Sequence, residues 1–309
     1  MIGLVLGKFL PPHAGHVYLC EVAAAMCDEL VIVVGSLPHE PIAGLQRVAW
    51  LRELMPRARV EHLADVLPQE PAEHPEFWAM WRAALVRFVR PDRVFTSDPY
   101  GRRLAAELGA TWIPVDPDRA TFPISGTAVR ADPARHWALL PRCVRAHYAR
   151  RLSVFGPEST GKSTLARALA AELGTICVPE FARSYLESRG GVLDRDDLAV
   201  IRDGQAALED SLARDANRVL VCDTDPLLTA VWSEAMFDAP LAVPPRAYDL
   251  TLLCDVDLAW VADPVRYLPG DRAPFFARCE AALRRAGRPY RIIRGQGEAR
   301  LAAAREALR

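Results

Sequence analysis

Short apolar runs that break off at glycine or at an acid recur along this chain, and helix-forming stretches separate them. Ile2–Leu6 stops at Gly7, Leu30–Val34 at Gly35, Leu152–Phe155 at Gly156, and Val219–Cys222 at Asp223. Runs of this length without polar alternation are what a strand needs when both faces of its sheet are covered, as in a parallel sheet. Arg93–Thr96, Thr111–Val115, Ile176–Val178, Leu250–Cys254 and Tyr290–Ile293 read as further strands. Val17–Cys27, Thr164–Leu173, a long helix from Asp194 as N-cap to about Arg214, and Glu298–Leu308 read as helices. Strand and helix alternate throughout, which predicts an α/β protein built on doubly wound parallel sheets.

The 309 residues are enough for two such domains, each with its own core. Between Asp132 and Arg142 no strand is evident, and Arg145–Arg151 leads straight into the strand at Leu152. The boundary is therefore placed between 147 and 148, giving domains 1–147 and 148–309.

Composition narrows the partners. Hydrophobic residues make up 51% and charged residues 25%, with a net charge of −1, an ordinary globular balance. No overall basicity points to nucleic acid, so anionic ligands must be held by local cations and backbone amides. No window approaches the roughly 18 apolar residues of a membrane span, and the N-terminus lacks a signal-peptide pattern, so a cytoplasmic location without a membrane partner is expected. The seven cysteines form no C-x-x-C pair, which argues against a zinc site or a disulfide framework. A homo-oligomer is compatible with the sequence.

Near the middle, Gly156-Pro157-Glu158-Ser159-Thr160-Gly161-Lys162-Ser163-Thr164 fits the phosphate-loop pattern G-x-x-x-x-G-K-[ST], and it has the required context of a strand before and a helix after. Such a loop curls backbone N–H groups around a polyphosphate at a helix N-terminus. Lys162 would reach the β- and γ-phosphates of ATP, and Ser163 would hold Mg²⁺. Lys8 and Lys162 are the chain's two lysines among 38 Lys plus Arg residues. Wherever a cation need only be solvated, this chain uses arginine, while both ammonium groups stand in candidate phosphate motifs.

Further along, Glu180 ends a strand and is placed either as a general base for a substrate hydroxyl or as a helix-start acid. Arg183 follows it as a candidate substrate contact. Asp223 ends an apolar strand, the pattern of a carboxylate that holds Mg²⁺ with Ser163. Asp225 either assists at the substrate or caps the helix beginning at Pro226. Arg266 and Arg272 flank a Pro- and Gly-containing segment that would serve as a lid over the phosphates or as a solvated loop.

In the first half, Gly7-Lys8-Phe9 leads to His13 and His16, again between a strand and a helix, with both imidazoles able to donate to phosphate oxygens. More than a hundred residues later, Ser125, Gly126, Thr127 and Arg130 combine capping hydroxyls with a guanidinium fork for phosphate. Trp78 and Trp81 share a helix face and suit a core or an aromatic wall for a flat cationic ring. Arg47 is placed to reach a substrate phosphate or to be solvated.

The G-x-F-x-P-x-H-x-G-H stretch from Gly7 to His16, with Ile124-Ser-Gly-Thr-Ala-Val-Arg130, resembles the paired signatures of the nucleotidylyltransferase superfamily. Together with Pro157–Leu165, Glu180–Tyr185 and Asp223-Thr224-Asp225, the arrangement resembles the NadR family from Gly7 to about Arg266. The resemblance implies a Rossmann-like nicotinamide-nucleotide adenylyltransferase domain followed by a P-loop ribosylnicotinamide kinase domain. It also implies two Mg²⁺-dependent reactions: ATP phosphorylates nicotinamide riboside to nicotinamide mononucleotide (NMN), and a second ATP adenylylates NMN to NAD with release of pyrophosphate. In that reading Lys162, Glu180 and Asp223 carry the kinase chemistry, and His16 and Arg130 the adenylyl transfer. Some relatives carry a preceding helix-turn-helix domain; this chain opens at the first strand, so DNA-binding regulation is not expected. Two other readings fit fewer features: a coenzyme A-type adenylyltransferase–kinase fusion, and a nucleotide sensor without turnover.

Overall fold

The structure, a computed structural model, describes residues 1–263, 267, 270 and 272–308. It divides into two compact units, Met1–Val144 and Arg145–Arg309. The division falls inside a short helix, Arg142–Tyr148, rather than at its end.

Unit 1 holds a five-stranded sheet of β1 (Ile2–Gly7), β2 (Glu29–Gly35), β3 (Arg59–Leu63), β4 (Arg93–Thr96) and β5 (Thr111–Pro114), in the order β3-β2-β1-β4-β5 and parallel throughout. Its helices are α1 (Ala14–Ala25), α2 (Gly44–Leu54), α3 (Phe77–Leu85), α4 (Tyr100–Leu108) and α5 (Gly126–Ala131), with α6 (Arg142–Tyr148) at the junction. Successive residues of β1 serve opposite cores. Val5 packs with Leu19, Ile32 and Leu51, while Leu4 packs with Val31, Leu85 and Leu104. All of these are buried, and each contributes about 1.5–3 kcal/mol relative to exposure. The strand β3 was not anticipated. Its sequence RVEHL interrupts the apolar pattern because it is an edge strand, in which Arg59 and Glu61 pair with each other at 3.1 Å.

Unit 2 repeats the scheme with β6 (Arg150–Phe155), β7 (Cys177–Val178), β8 (Val219–Asp223), β9 (Leu250–Cys254) and β10 (Tyr290–Ile293), ordered β10-β9-β6-β8-β7 and all parallel. Around it lie α7 (Lys162–Glu172), α8 (Phe181–Ser188), α9 (Asp197–Leu212), α10 (Pro226–Phe237), α11 (Arg272–Arg285) and α12 (Glu298–Ala307). Leu165 and Leu169 of α7 cover Leu152, Val154 and Leu252 on one face; Leu228, Phe275 and Leu283 cover Phe155 and Leu253 on the other. Asp194 does not cap α9: its own N–H donates to Asp197 at 2.8 Å, and the helix starts two residues later than expected, with Asp196 at the N-cap. Among the described residues, no helix is long and apolar enough to cross a membrane.

Candidate active sites

In unit 1 the strand order reverses at β1 and β4, and beyond their carboxyl ends opens a cavity of about 730 Å³. Ligands collect at such switch points because neighbouring connections leave to opposite faces of the sheet. Gly7, Lys8 and Phe9 form one wall, with Phe9 itself buried. His13 caps α1, its Nδ1 accepting from the His16 N–H at 3.4 Å, and the two imidazoles stack with centroids 3.7 Å apart. The Phe9 ring lies 5.0 Å beyond His16, whose Nδ1 is buried without a hydrogen-bond partner.

Burial, with Arg119 and His136 adding repulsion, pushes the His13 pKa down from 6.5 to about 4, and burial between His13 and Arg119 drives His16 well below its usual range. Both rings are therefore neutral in the free protein near pH 7 and offer N–H donors without a resident charge. A histidine whose folded pKa is depressed contributes stability above its unfolded value and loses it on acidification. For His13 this amounts to about 3 kcal/mol, lost as the pH falls from 6.5 toward 4. The urea midpoint of the wild-type chain is thus expected to fall more steeply across that interval than that of His13→Asn. Parallel curves would show that His13 titrates normally.

An adjoining part of the wall comes from α5. Ser125 caps it by accepting from the Ala128 N–H at 3.1 Å, and Thr127 accepts from Arg130 Nη2 at 3.3 Å. Arg130 also donates to the Leu10 carbonyl, which ties the second signature to the first. Gly126 is required by that approach, since a β-carbon there would lie 2.5 Å from the Leu10 oxygen. Trp78 and Trp81 are half-buried, packing on the core of Leu4, Val31, Leu85 and Leu104 while lining the cavity, and Trp81 Nε1 donates to the Pro68 carbonyl at 2.9 Å. The structure thus places both tryptophans at the core edge and in the wall.

Arg47 corrects the sequence reading. It is fully buried, donating to the carbonyls of Lys8 at 2.6 Å and Gly35 at 3.3 Å and to Glu40 at 2.5 Å. It braces the signature loop from behind and is not among the residues that line the cavity. Arg119 also lines the cavity and escaped the sequence reading; it pairs at 3.1 Å with Asp98, in the loop after β4. Arg119 is held out by a loop whose N–H groups from Ala120 to Phe122 all donate to Asp116. Only that tertiary loop brings Arg119 beside the histidines; the VDPDRATFP stretch carries no motif that would signal it.

In unit 2 the phosphate loop joins the end of β6 to the start of α7. Gly156 has φ +132°, and a β-carbon there would sit 2.8 Å from the Cys254 carbonyl oxygen, so the turn beside β9 admits only glycine. Thr160 Oγ1 and Lys162 Nζ both donate to the Pro157 carbonyl, at 2.8 and 2.7 Å. Lys162 is thereby folded into the loop, 9% exposed. Gly161 precedes the first turn of α7, Ser163 is half-buried, and Thr164 is exposed behind it. The Ser159 hydroxyl accepts from the Val261 N–H at 2.8 Å, and Glu158 from the Tyr267 N–H at 3.0 Å. Arg272 donates to the Leu258 carbonyl at 2.8 Å and more weakly to that of Ser159, its guanidinium 5.8 Å from the Trp260 ring. Arg266 lies outside the described residues.

Asp223, at the end of β8, is buried with Oδ1 lacking a partner, and burial raises its pKa although the Ser163 hydroxyl and Lys162 pull it back. An orphaned carboxylate oxygen beside a serine hydroxyl at a phosphate loop is a donor set that fits Mg²⁺, a hard cation that takes oxygen ligands. Glu180 precedes α8 but makes no side-chain capping bond. Burial raises its pKa, the charges of Asp223 and Glu158 add to the rise, and Lys162 and Arg183 oppose it. Arg183 is paired with Asp263 at 3.1 Å and Glu187 at 3.3 Å. Asp225 takes the capping alternative. It is fully buried, caps α10 through the Leu227 N–H at 2.7 Å and pairs with Arg288 at 2.6 Å, so it does not face a substrate.

Residues 4–132 match the Cytidylyltransferase-like family and residues 151–300 the AAA domain family. The chain is 30% identical over 296 residues to the trifunctional NAD biosynthesis/regulator protein NadR of Escherichia coli (strain K12), covering 86% of this chain and 72% of that protein. Two crystal structures of NadR protein, one in complex with NR and one with NAD and AMP-PNP, match 99% of this chain and 94% of theirs. Their TM-scores are 0.79 and 0.77, at 22% and 23% identity.

Proposed function

Since the chain belongs to the NadR family, we propose that it is a bifunctional enzyme of NAD biosynthesis, a ribosylnicotinamide kinase in unit 2 and a nicotinamide-nucleotide adenylyltransferase in unit 1. The observation that carries this reading is that each unit builds its own phosphate cradle at the carboxyl end of its own parallel sheet. A cytoplasmic setting suits soluble nucleotide substrates.

In unit 2, Lys162 and the loop amides hold the β- and γ-phosphates of ATP. Glu180 takes the proton from the 5′-hydroxyl of nicotinamide riboside as that oxygen attacks the γ-phosphorus, giving NMN and ADP. A carboxylate whose pKa is raised by burial is a stronger base for this step than a solvated one. Arg183, one turn along α8, is positioned for the riboside, and Arg272 steadies the segment beside the loop. Ser163 and Asp223 would hold Mg²⁺, which would supply charge neutralisation on the phosphates.

In unit 1 the phosphate of NMN attacks the α-phosphorus of ATP, forming the pyrophosphate bond of NAD and expelling pyrophosphate. The nucleophile is already ionised, so no general base is needed. The site accordingly offers donors: the His13 and His16 N–H groups, the Arg130 fork, Lys8, and the amides around Ser125 and Gly126. Trp78 and Trp81 supply a flat wall for the pyridinium ring.

The test supplies the purified chain with Mg-ATP and either nicotinamide riboside or NMN while ADP and pyrophosphate are followed separately. Riboside is expected to yield ADP first and pyrophosphate after a lag, whereas NMN yields pyrophosphate alone. Absence of ADP with riboside would remove the kinase assignment.

A further inference from the structure

Thr224, between Asp223 and Asp225, has φ +76°. A β-branched residue takes this left-handed conformation only where its surroundings impose it. Two contacts do so. The Thr224 N–H donates to the Val154 carbonyl of β6 at 3.0 Å. On the other side, Asp225 Oδ2 accepts from Ser153 Oγ and from Arg288 Nη1, both at 2.6 Å, and Oδ1 accepts from the Leu227 N–H at 2.7 Å. One fully buried carboxylate thereby joins the strand that feeds the phosphate loop, the first turn of α10 and the residue leading toward β10. Arg288 is fixed in turn, lying 4.1 Å from the centroid of the Tyr248 ring, whose hydroxyl donates to buried Glu209.

We propose that Asp225 is a positioning residue: its clamp on Ser153, Arg288 and α10 holds the left-handed turn at Thr224 and so aims the unpartnered Oδ1 of Asp223 at the side of the loop where Ser163 stands. This rests on the reading of Asp223 and Ser163 as the Mg²⁺ pair. It explains why a second acid follows the first in Asp-Thr-Asp without touching the substrate. Glycine at 224 takes positive φ freely, so it makes the turn independent of the clamp.

The experiment measures Mn²⁺ binding to the full chain by electron paramagnetic resonance with a non-hydrolysable ATP analogue present, the Asp223→Asn chain serving as blank for metal held in unit 1. Asp225→Asn is expected to raise the Mn²⁺ dissociation constant roughly tenfold, the scale on which outer-shell partners act, while leaving metal-free analogue affinity within about twofold. Adding Thr224→Gly to that variant recovers at least about threefold, which loss of packing alone would not allow. Unchanged Mn²⁺ affinity in folded Asp225→Asn overturns the clamp, and so does a double variant that recovers nothing. If Asp223→Asn itself binds Mn²⁺ as the wild type does, the metal reading fails and the inference with it. Should Asp225→Asn not fold, Ser153→Ala keeps the ion pair and removes one bond to the carboxylate. It must then weaken Mn²⁺ binding by about two- to threefold, and no change there also overturns the proposal.

Discussion

Lys162→Ala is expected to lower ADP formation from nicotinamide riboside by about 10²- to 10³-fold while leaving pyrophosphate release from NMN within twofold of wild type. The loss corresponds to about 3 kcal/mol of transition-state stabilisation, the usual worth of one preorganised donor to a reacting centre. Lys162 is 9% exposed and parked on the Pro157 carbonyl 2.7 Å away, so its ammonium is already inside the loop before nucleotide arrives. Arginine should not replace it, because a planar guanidinium does not fit a slot shaped for a compact charge. A second consequence follows from the acids. Lys162 lowers the pKa of both Glu180 and Asp223, and without it both carboxyls rise further. The acidic limb of the residual kinase activity should therefore move to higher pH, readable as a displaced pH profile of kcat/KM. Loss of both activities in a variant that still unfolds cooperatively would contradict the separation of the two sites.

His16→Ala is expected to do the reverse, cutting pyrophosphate release from NMN by about 10²- to 10³-fold and sparing ADP formation from riboside. The His16 ring is held between His13 at 3.7 Å and Phe9 at 5.0 Å, and its Nδ1 has no partner. A buried polar nitrogen left unpaired is costly unless a ligand completes it. Being neutral, the ring gains most when negative charge builds on an adjacent oxygen, so its loss should appear mainly in kcat rather than in the KM for ATP. Initial rates over a matrix of NMN and ATP concentrations separate the two, and a pure rise in the KM for ATP would reduce His16 to a binding contact.

Much of this was legible along the chain because both sites are built on strand, turn and helix that are contiguous in sequence. Gly7 to His16 and Gly156 to Thr164 carry their own context, and the two phosphate motifs hold the two lysines. What sequence missed was tertiary. Arg47 looks like an available charge in isolation, yet it is fully buried against the Lys8 and Gly35 carbonyls and Glu40. Arg119 reaches its site only through the loop folded around Asp116. The edge strand β3 escaped because its exposed positions are charged, which breaks the apolar pattern used to find its neighbours.

The scarcity of lysine has a practical outcome. An amine-acylating reagent finds only two side-chain targets here, Lys8, whose side chain is 48% exposed beside Glu40, and Lys162, withdrawn into its loop. Peptide mass spectrometry after brief labelling therefore reads the two cradles as separate channels, one per unit, without any engineered probe.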